Sequence, residues 1–362
     1  MINQTDAVGE SGPLKIVITD VVCDTCEPEQ KVLGDLGVVT ALDSRGEDDL
    51  VGRIEDVDAI ILYHSLRLSH ATLDRLERCR FILCCGVGYD NIDYDYAAKM
   101  SIPVANLPDY GTEEVADSTI GLMLSLTRGI AVANSYLRNG DGVWSHHQVA
   151  PLQRLRDKVM GVVGLGRIGS AAALRAKALG MDVAFYDPYS PDGYDKSLGI
   201  RRVERFEQLL EQSYVLSPHC PLTAETYHMI AAPQIDRMPR GSYLLNTSRG
   251  AVVDTDAIPD AIVSGRLAGA AIDVFAQEPP GDDDPLIAAW RDPQHPAHHR
   301  VLVNPHIAFY CEQGIDHMRV GGAKLVRRAL LGMPVRTIIN GVSLKRDSDV
   351  RASGQIIQPR SS

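Results

Sequence analysis

The sequence predicts an α/β protein of two domains, each a doubly wound parallel sheet with helices on both faces. Three observations carry that reading. Short apolar runs of strand length alternate with amphipathic segments along most of the chain, the rhythm of strand–helix–strand crossovers. One crossover, residues 158–187, contains a complete Gly-x-Gly-x-x-Gly. The same alternation precedes that crossover and follows it, and 362 residues suffice for about two domains of ordinary size.

Composition narrows the function. An apolar fraction of 45% is ample for buried cores. The formal net charge of −11, with no tract dense in Lys or Arg, argues against a nucleic-acid surface. Residues 1–13 are polar and acidic and read as a loose tail without the apolar stretch of a signal peptide. No run approaches the 18 or so apolar residues of a membrane span. Seven cysteines fit reduced thiols and a cytoplasmic location. Cys23-Asp24-Thr25-Cys26 has metal or redox spacing but no second ligand pair, so no metal is expected.

In chain order, Leu14 to Thr19, Ala59 to Tyr63 and Phe81 to Cys85 read as the first strands. The last of them runs into Gly86-Val87-Gly88-Tyr89-Asp90-Asn91. Two glycines there can expose backbone N–H groups to an anion such as a carboxylate, and a plain strand-to-helix turn fits equally well. A long helix is expected after Thr112, which suits an N-cap, with Glu113 and Glu114 in its first turn, and such a helix could bridge the two domains. Arg138 to Gln153 reads as a polar connector.

The central crossover has the parts that dinucleotide binding requires. Val159 to Val163 is a buried strand, Ala171 to Leu179 a helix, and Val183 to Tyr186 a second strand ending at Asp187. Gly164 permits a tight turn, Gly166 lets backbone approach a pyrophosphate, and Gly169 allows close helix–strand packing. Free N–H groups at the helix start then face the phosphates. Asp187, 18 residues after Gly169, suits a carboxylate accepting hydrogen bonds from a ribose diol. It would repel a 2′-phosphate, and Pro188-Tyr189-Ser190 brings no adjacent Arg, so NAD is expected over NADP.

Beyond Asp187, strands are expected at Tyr214 to Leu216, Tyr243 to Leu245, Gly269 to Ile272 and Val301 to Val303. Arg249, Glu278 and His306 follow three of these strands, and ligands of open α/β sheets bind beyond the carboxyl ends. All three should share the rim that holds the dinucleotide. His295, His298 and His299 cluster irregularly between prolines and read as a solvated loop. Glu312 to Leu331 has helical apolar spacing, stopped by Gly332 and Pro334.

Several motifs now carry a resemblance. Gly86 to Asp93, Val115-Ala116-Asp117-Ser118-Thr119, the glycine fingerprint through Tyr186-Asp187-Pro188-Tyr189, and His219-Cys220-Pro221-Leu222-Thr223 stand in order. Asn246-Thr247-Ser248-Arg249-Gly250, Ala271-Ile272-Asp273-Val274 with Glu278-Pro279, and Asn304-Pro305-His306 follow. Over roughly residues 14–340 the chain resembles the D-isomer-specific 2-hydroxyacid dehydrogenases, and within them the branch of the C-terminal-binding-protein corepressors. The resemblance implies a Rossmann-type dinucleotide domain, residues 112–304, inserted into a flavodoxin-like discontinuous substrate domain of residues 14–111 and 305–344. Residues 345–362 would form a second tail. It implies NAD as cofactor, hydride transfer to or from C2 of a small 2-oxo or D-2-hydroxy acid, and a homodimer joined through the dinucleotide domain.

By the same resemblance, Arg249 would grip the substrate carboxylate and polarise the keto oxygen. His306 would be the general acid/base, and Glu278 would hold it and stabilise its imidazolium form. Val87 and Gly88 N–H groups would complete the carboxylate grip. Thr119, Arg167, Ile168, Cys220, Pro221, Thr226, Thr247 and Ser248 would line the cofactor, and Asp273 would hold its carboxamide. Phe309 stands where the corepressor branch has Trp, and Cys84 where it has Arg, so that branch's thioether keto acid does not carry over. Phe309 is expected to shape the substrate side-chain pocket, with His64 and Tyr110 nearby. Glu278 argues against formate and Val87 against phosphite as substrates. Two alternatives stand beside a 2-oxo acid reductase: an NAD(H)-sensing corepressor-like scaffold with little turnover, and a reductase of a phosphorylated or phosphonate acid.

Overall fold

The computed structural model describes residues 12–20, 25–63, 65–140 and 142–344. Cys23, His64 and most of the two expected tails lie outside the described residues. The chain divides into two units, one holding the described residues up to Tyr110 and those from Glu312 onward, the other Gly111–Cys311.

In the first unit β1 (Leu14–Asp20), β2 (Gly37–Ser44), β3 (Ala59–Leu62), β4 (Phe81–Cys84) and β5 (Val104–Asn106) form one sheet in the order β2-β1-β3-β4-β5. Every pairing is parallel, the order of a flavodoxin-like doubly wound sheet. β3 and β4 are buried along their whole length, which is why they read as unbroken apolar runs. β2 escaped the sequence reading because it is an edge strand whose residues largely alternate between buried and exposed. β5 is only three residues long.

The helix Glu312–Leu330 packs on β4, β3 and the helix Glu27–Leu33. Arg319 Nη2 lies 2.6 Å from Glu29 Oε2, and the Tyr63 hydroxyl donates to Glu29 Oε1 at 3.2 Å. Both charges are buried, so the pair fixes where this helix sits. A Cβ on Gly322 would stand 2.5 Å from Cys85 Sγ, which leaves room only for glycine where helix meets sheet.

The second unit carries β6 (Val159–Val163), β7 (Asp182–Tyr186), β8 (Arg201–Arg202), β9 (Val215–Pro218), β10 (Ser242–Asn246), β11 (Leu267–Ile272) and β12 (Val301–Val303). Their order is β12-β11-β10-β9-β6-β7-β8, all parallel. The chain winds outward from β6 to β8, crosses back to β9 and winds the other way. β6 and β9 are therefore the neighbours at which the winding reverses, and the crevice beyond them is where such sheets bind ligands. Successive residues point to opposite faces: Leu216, Leu244 and Ile272 join one core, while Val215, Leu245 and Ala271 join the other.

Several expectations are corrected. The N-cap of the helix Thr112–Thr127 is Gly111, and Thr112 is already helical, with no side chain capping the end. That helix lies wholly in the second unit, packed on the helix Arg167–Ala178, β10 and β11. The helix after the glycines begins at Arg167 rather than Ala171, because Gly169 is a packing residue inside it and not part of the turn. The expected connector at 138–153 holds the end of a helix, Ile130–Asn139, and a 3-10 turn, His146–Val149. His298 and His299 sit on a short helix, Ala297–Arg300. There His298 Nδ1 meets the Trp290 carbonyl and His299 stacks on Tyr136. The expected boundary at residues 304/305 falls at 311/312, since residues 306–308 are hydrogen-bonded to Asp273 of the second unit.

Candidate active site

The glycine turn follows β6 in the second unit. Gly164 has φ +87°, a left-handed conformation that favours glycine, and a Cβ there would press on Cys220 Cα and N at 3.0 Å. A Cβ on Gly169 would fall 2.2 Å from the Gly164 carbonyl oxygen, so helix and turn pack backbone to backbone. Gly166, the N-cap, faces open space and no side chain caps the helix. Arg167 and Ile168 open the helix Arg167–Ala178, whose first N–H groups stand over that space.

Asp187 closes the end of β7. Its Oδ2 accepts from the Leu165 N–H at 2.8 Å and its Oδ1 from the Tyr189 N–H at 2.9 Å, so the carboxylate is oriented by the glycine turn and keeps lone pairs for a diol. Tertiary structure also corrects the absence of a nearby cation. β8 pairs with β7 and brings Arg202 opposite Phe185. The Arg202 guanidinium donates to the Ser190 and Pro191 carbonyls at 3.1 and 2.7 Å and lies over the Phe185 ring.

The loop after β9 forms the other wall. Burial pushes the Cys220 thiol up to about 11, which keeps it neutral. Burial likewise lowers His219 to about 4, and its Nε2 meets Ser217 Oγ at 2.9 Å. Thr226 Oγ1 donates to the Pro221 carbonyl at 2.6 Å and accepts from the Thr223 N–H at 2.8 Å, which folds the loop onto itself. Thr119, buried in the helix Thr112–Thr127, shares a 2.8 Å hydrogen bond with Thr247 at the end of β10.

Beyond β10 the chain turns around Asn246, which the sequence reading named within its motif but gave no role. Its Oδ1 accepts from Ser248 N and Oγ at 3.1 and 2.9 Å, and its Nδ2 donates to the Arg249 carbonyl at 2.9 Å. Asn two residues before Ser is the signature of an Asx turn and was available as a signal. A Cβ on Gly250 would fall 1.9 Å from the Phe275 carbonyl carbon, so the Arg249 turn lies directly against the loop carrying Glu278.

Asp273 organises the third part. Only 1% exposed, it accepts from Ile307 N at 3.0 Å and Ala308 N at 3.0 Å, while its carbonyl accepts from His306 N at 2.8 Å. Burial raises its carboxyl above the usual range, opposed by those N–H groups. His306 is thereby held at φ +52°, unusual for a residue with a side chain. Its Nδ1 lies 2.7 Å from Glu278 Oε2, and Glu278 Oε1 accepts from Phe275 N at 2.9 Å. The Phe309 ring meets the His306 ring edge to face, with centroids 6.0 Å apart.

Arg249, Glu278 and His306 thus share one loop cluster of the second unit with Phe309. In the first unit, Val87 and Gly88 follow β4. The Val87 carbonyl accepts from Asn106 Nδ2 at 2.8 Å and the Gly86 carbonyl from Leu107 N at 3.1 Å. Because C=O and N–H oppose each other across a trans peptide, the Val87 and Gly88 N–H groups point away from those partners.

The family profile described as D-isomer specific 2-hydroxyacid dehydrogenase, NAD binding domain, matches residues 120–308. The chain belongs to the D-isomer-specific 2-hydroxyacid dehydrogenases. It is 31% identical over 327 residues to a D-3-phosphoglycerate dehydrogenase of Methanocaldococcus jannaschii, covering 90% of this chain and 59% of that longer protein. It is 40% identical over 239 residues to a glyoxylate reductase of Korarchaeum cryptofilum, covering 66% of this chain and 72% of that one. The solved structure of a D-lactate dehydrogenase from Aquifex aeolicus, complexed with NAD and lactic acid, superposes with a TM-score of 0.76 at 29% identity, over 88% of this chain and 96% of that one. NAD is the cofactor, and the open, uncapped helix start beside an oriented Asp187 carboxylate fits it.

Proposed function

We propose that this dehydrogenase-family chain is an NAD(H)-dependent 2-oxo acid reductase, forming D-2-hydroxy acids, with His306 as its general acid/base. The observation that carries the reading is the 2.7 Å His306–Glu278 contact, held beside the Arg249 turn by the Gly250–Phe275 packing. When bound, reduced NAD supplies the hydride that goes to C2 of the substrate. With Nδ1 toward Glu278, the His306 Nε2–H would protonate the keto oxygen as that oxygen gains charge. Glu278, at His306 Nδ1, fixes the ring's orientation and its tautomer. Arg249 presents a planar donor fork suited to the carboxylate of a 2-oxo acid. In the first unit, the Val87 and Gly88 N–H groups are suited to an anion. Phe309, against His306, would border the substrate side chain.

A homodimer joined through the dinucleotide unit is part of the same proposal. Trp144 is 91% and Val143 70% exposed on that unit, adjacent apolar side chains that a partner would cover. Sedimentation of the protein and of Trp144→Ala tests it, and a wild-type monomer would refute it.

The activity is tested by following nicotinamide absorbance with NADH and a panel containing glyoxylate, pyruvate and a phosphorylated 2-oxo acid. Turnover is expected with at least one of them, and His306→Ala should lose about 100- to 10,000-fold while still binding NADH. A protein that binds NADH but reduces none of these acids refutes the proposal in favour of a dinucleotide-sensing role.

A further inference from the structure

We propose that Tyr189 and Glu225 form a clasp across the adenosine half of the NAD site, in which Glu225 is a second carboxylate, beside Asp187, that turns away a 2′-phosphate. The argument starts from the sheet. β7 and β9 flank β6, so the segments leaving them, 187–189 and 219–226, stand on either side of the glycine turn. Both touch it: Asp187 Oδ2 through Leu165 N at 2.8 Å, and Cys220 through its 3.0 Å approach to the Gly164 Cβ position. The Tyr189 hydroxyl then donates to Glu225 Oε2 at 2.5 Å and joins the two flanks. Tyr189 N is itself bonded to Asp187 Oδ1, and Thr226 pins the Glu225 loop through Pro221 and Thr223. The contacts close a ring around the turn.

The chemistry of the ring members differs in a useful way. Tyr189 is 76% exposed, with its hydroxyl tied at one end. At a crevice that receives a dinucleotide, such a ring offers a flat face on which adenine can rest. Two carboxylates, Asp187 and Glu225, border the same opening. A ribose diol donates to carboxylates, whereas a 2′-phosphate adds nearly two negative charges among them. Arg202 is the cation that β8 brings beside the segment after Asp187, and its guanidinium already donates to the Ser190 and Pro191 carbonyls. The hydrogen bond to Glu225, then its charge, holds the Tyr189 hydroxyl above its ordinary range.

Equilibrium binding to the full chain tests the clasp without reference to turnover. Calorimetry would compare 5′-AMP with 2′,5′-ADP, and nicotinamide fluorescence would compare NADH with NADPH. Glu225→Gln keeps an oxygen for the Tyr189 hydroxyl and removes the charge. It should tighten 2′,5′-ADP and NADPH about fivefold and leave 5′-AMP and NADH within about twofold. The gain should shrink as salt is raised. Tyr189→Ala should weaken 5′-AMP and 2′,5′-ADP alike, by about threefold to tenfold. An unchanged 2′,5′-ADP to 5′-AMP ratio in Glu225→Gln, or unchanged 5′-AMP binding in a folded Tyr189→Ala, overturns the clasp. The inference rests on the NAD site and not on the acid–base cluster. The expected ratios support it even where no 2-oxo acid is turned over, a result that would remove only the proposed activity.

Discussion

Asp273 is where the resemblance and the geometry assign different work to one side chain, and Asp273→Ala separates them. The carboxylate accepts from Ile307 N and Ala308 N, and Ala308 is 3% exposed. Truncation leaves both donors without that acceptor, a cost of about 1–3 kcal/mol each. A gain opposes it, because burial raises the Asp273 carboxyl and its ionised form therefore costs stability at neutral pH. The net loss should be about 1–3 kcal/mol, or roughly 2–4 °C of Tm per kcal/mol in a unit of this size. The sign in pH follows. A raised folded value means the folded state binds the proton more tightly, so this contribution favours folding at low pH and is lost as pH rises through the raised value. Wild type should therefore gain on the variant as pH falls from that raised value toward the ordinary 3.8. The larger effect is on His306. Its φ of +52° is a conformation costing about 1–3 kcal/mol that the surroundings must impose. With the next two residues unanchored, the imidazole leaves Glu278 and kcat should fall at least about 100-fold. NADH affinity, by fluorescence titration, should stay within about threefold. A rise of more than about tenfold in the NADH Kd with kcat intact at saturation would refute this reasoning and place the carboxylate on the cofactor instead.

Gly250→Ala puts a Cβ 1.9 Å from the Phe275 carbonyl carbon, where backbone cannot give way. Thermal melts should show a loss of about 1–3 kcal/mol, and steady-state kinetics a KM for the 2-oxo acid raised more than about tenfold as the Arg249 turn shifts. Glu278→Gln keeps much of the shape beside His306 Nδ1 and removes the charge. Reduction should slow by about tenfold to a hundredfold with NADH binding within about twofold, and equal turnover would show that Glu278 does not act through His306. Phe309→Ala should reorder preference among 2-oxo acids in a kinetic panel while leaving NADH affinity nearly unchanged; a change in cofactor binding alone would make Phe309 a packing residue. Arg319→Met leaves Glu29 buried without its cation and should cost about 3–5 kcal/mol in denaturant unfolding, with part recovered in the Glu29→Gln, Arg319→Met double variant.

Most of the architecture and much of the site was legible in the amino-acid order, for one reason. Strands buried on both faces must be apolar throughout, as β3, β4 and β6 are, and a backbone that must bend or pack closely must be glycine, as at Gly164 and Gly169. These demands are local, so they leave a local trace. Residues placed at strand ends inherit that legibility, which is how Arg249, Glu278 and His306 could be named before any distance was known. Tertiary structure decided what local demands do not touch. Edge strands β2 and β8 answer to a single neighbour and carry polar residues. Arg202 reaches the segment after Asp187 because β8 lies beside β7, a pairing that nothing in the order of residues announces. The tie from Tyr189 to Glu225 spans 36 residues, and the grip of Asp273 on Ile307 and Ala308 spans 34 and 35. Such contacts are chosen by the folded sheet, whose strand order brings distant turns to one edge. The chain alone therefore determined which candidate groups stand at the strand ends, and the sheet determined which groups hold them in place.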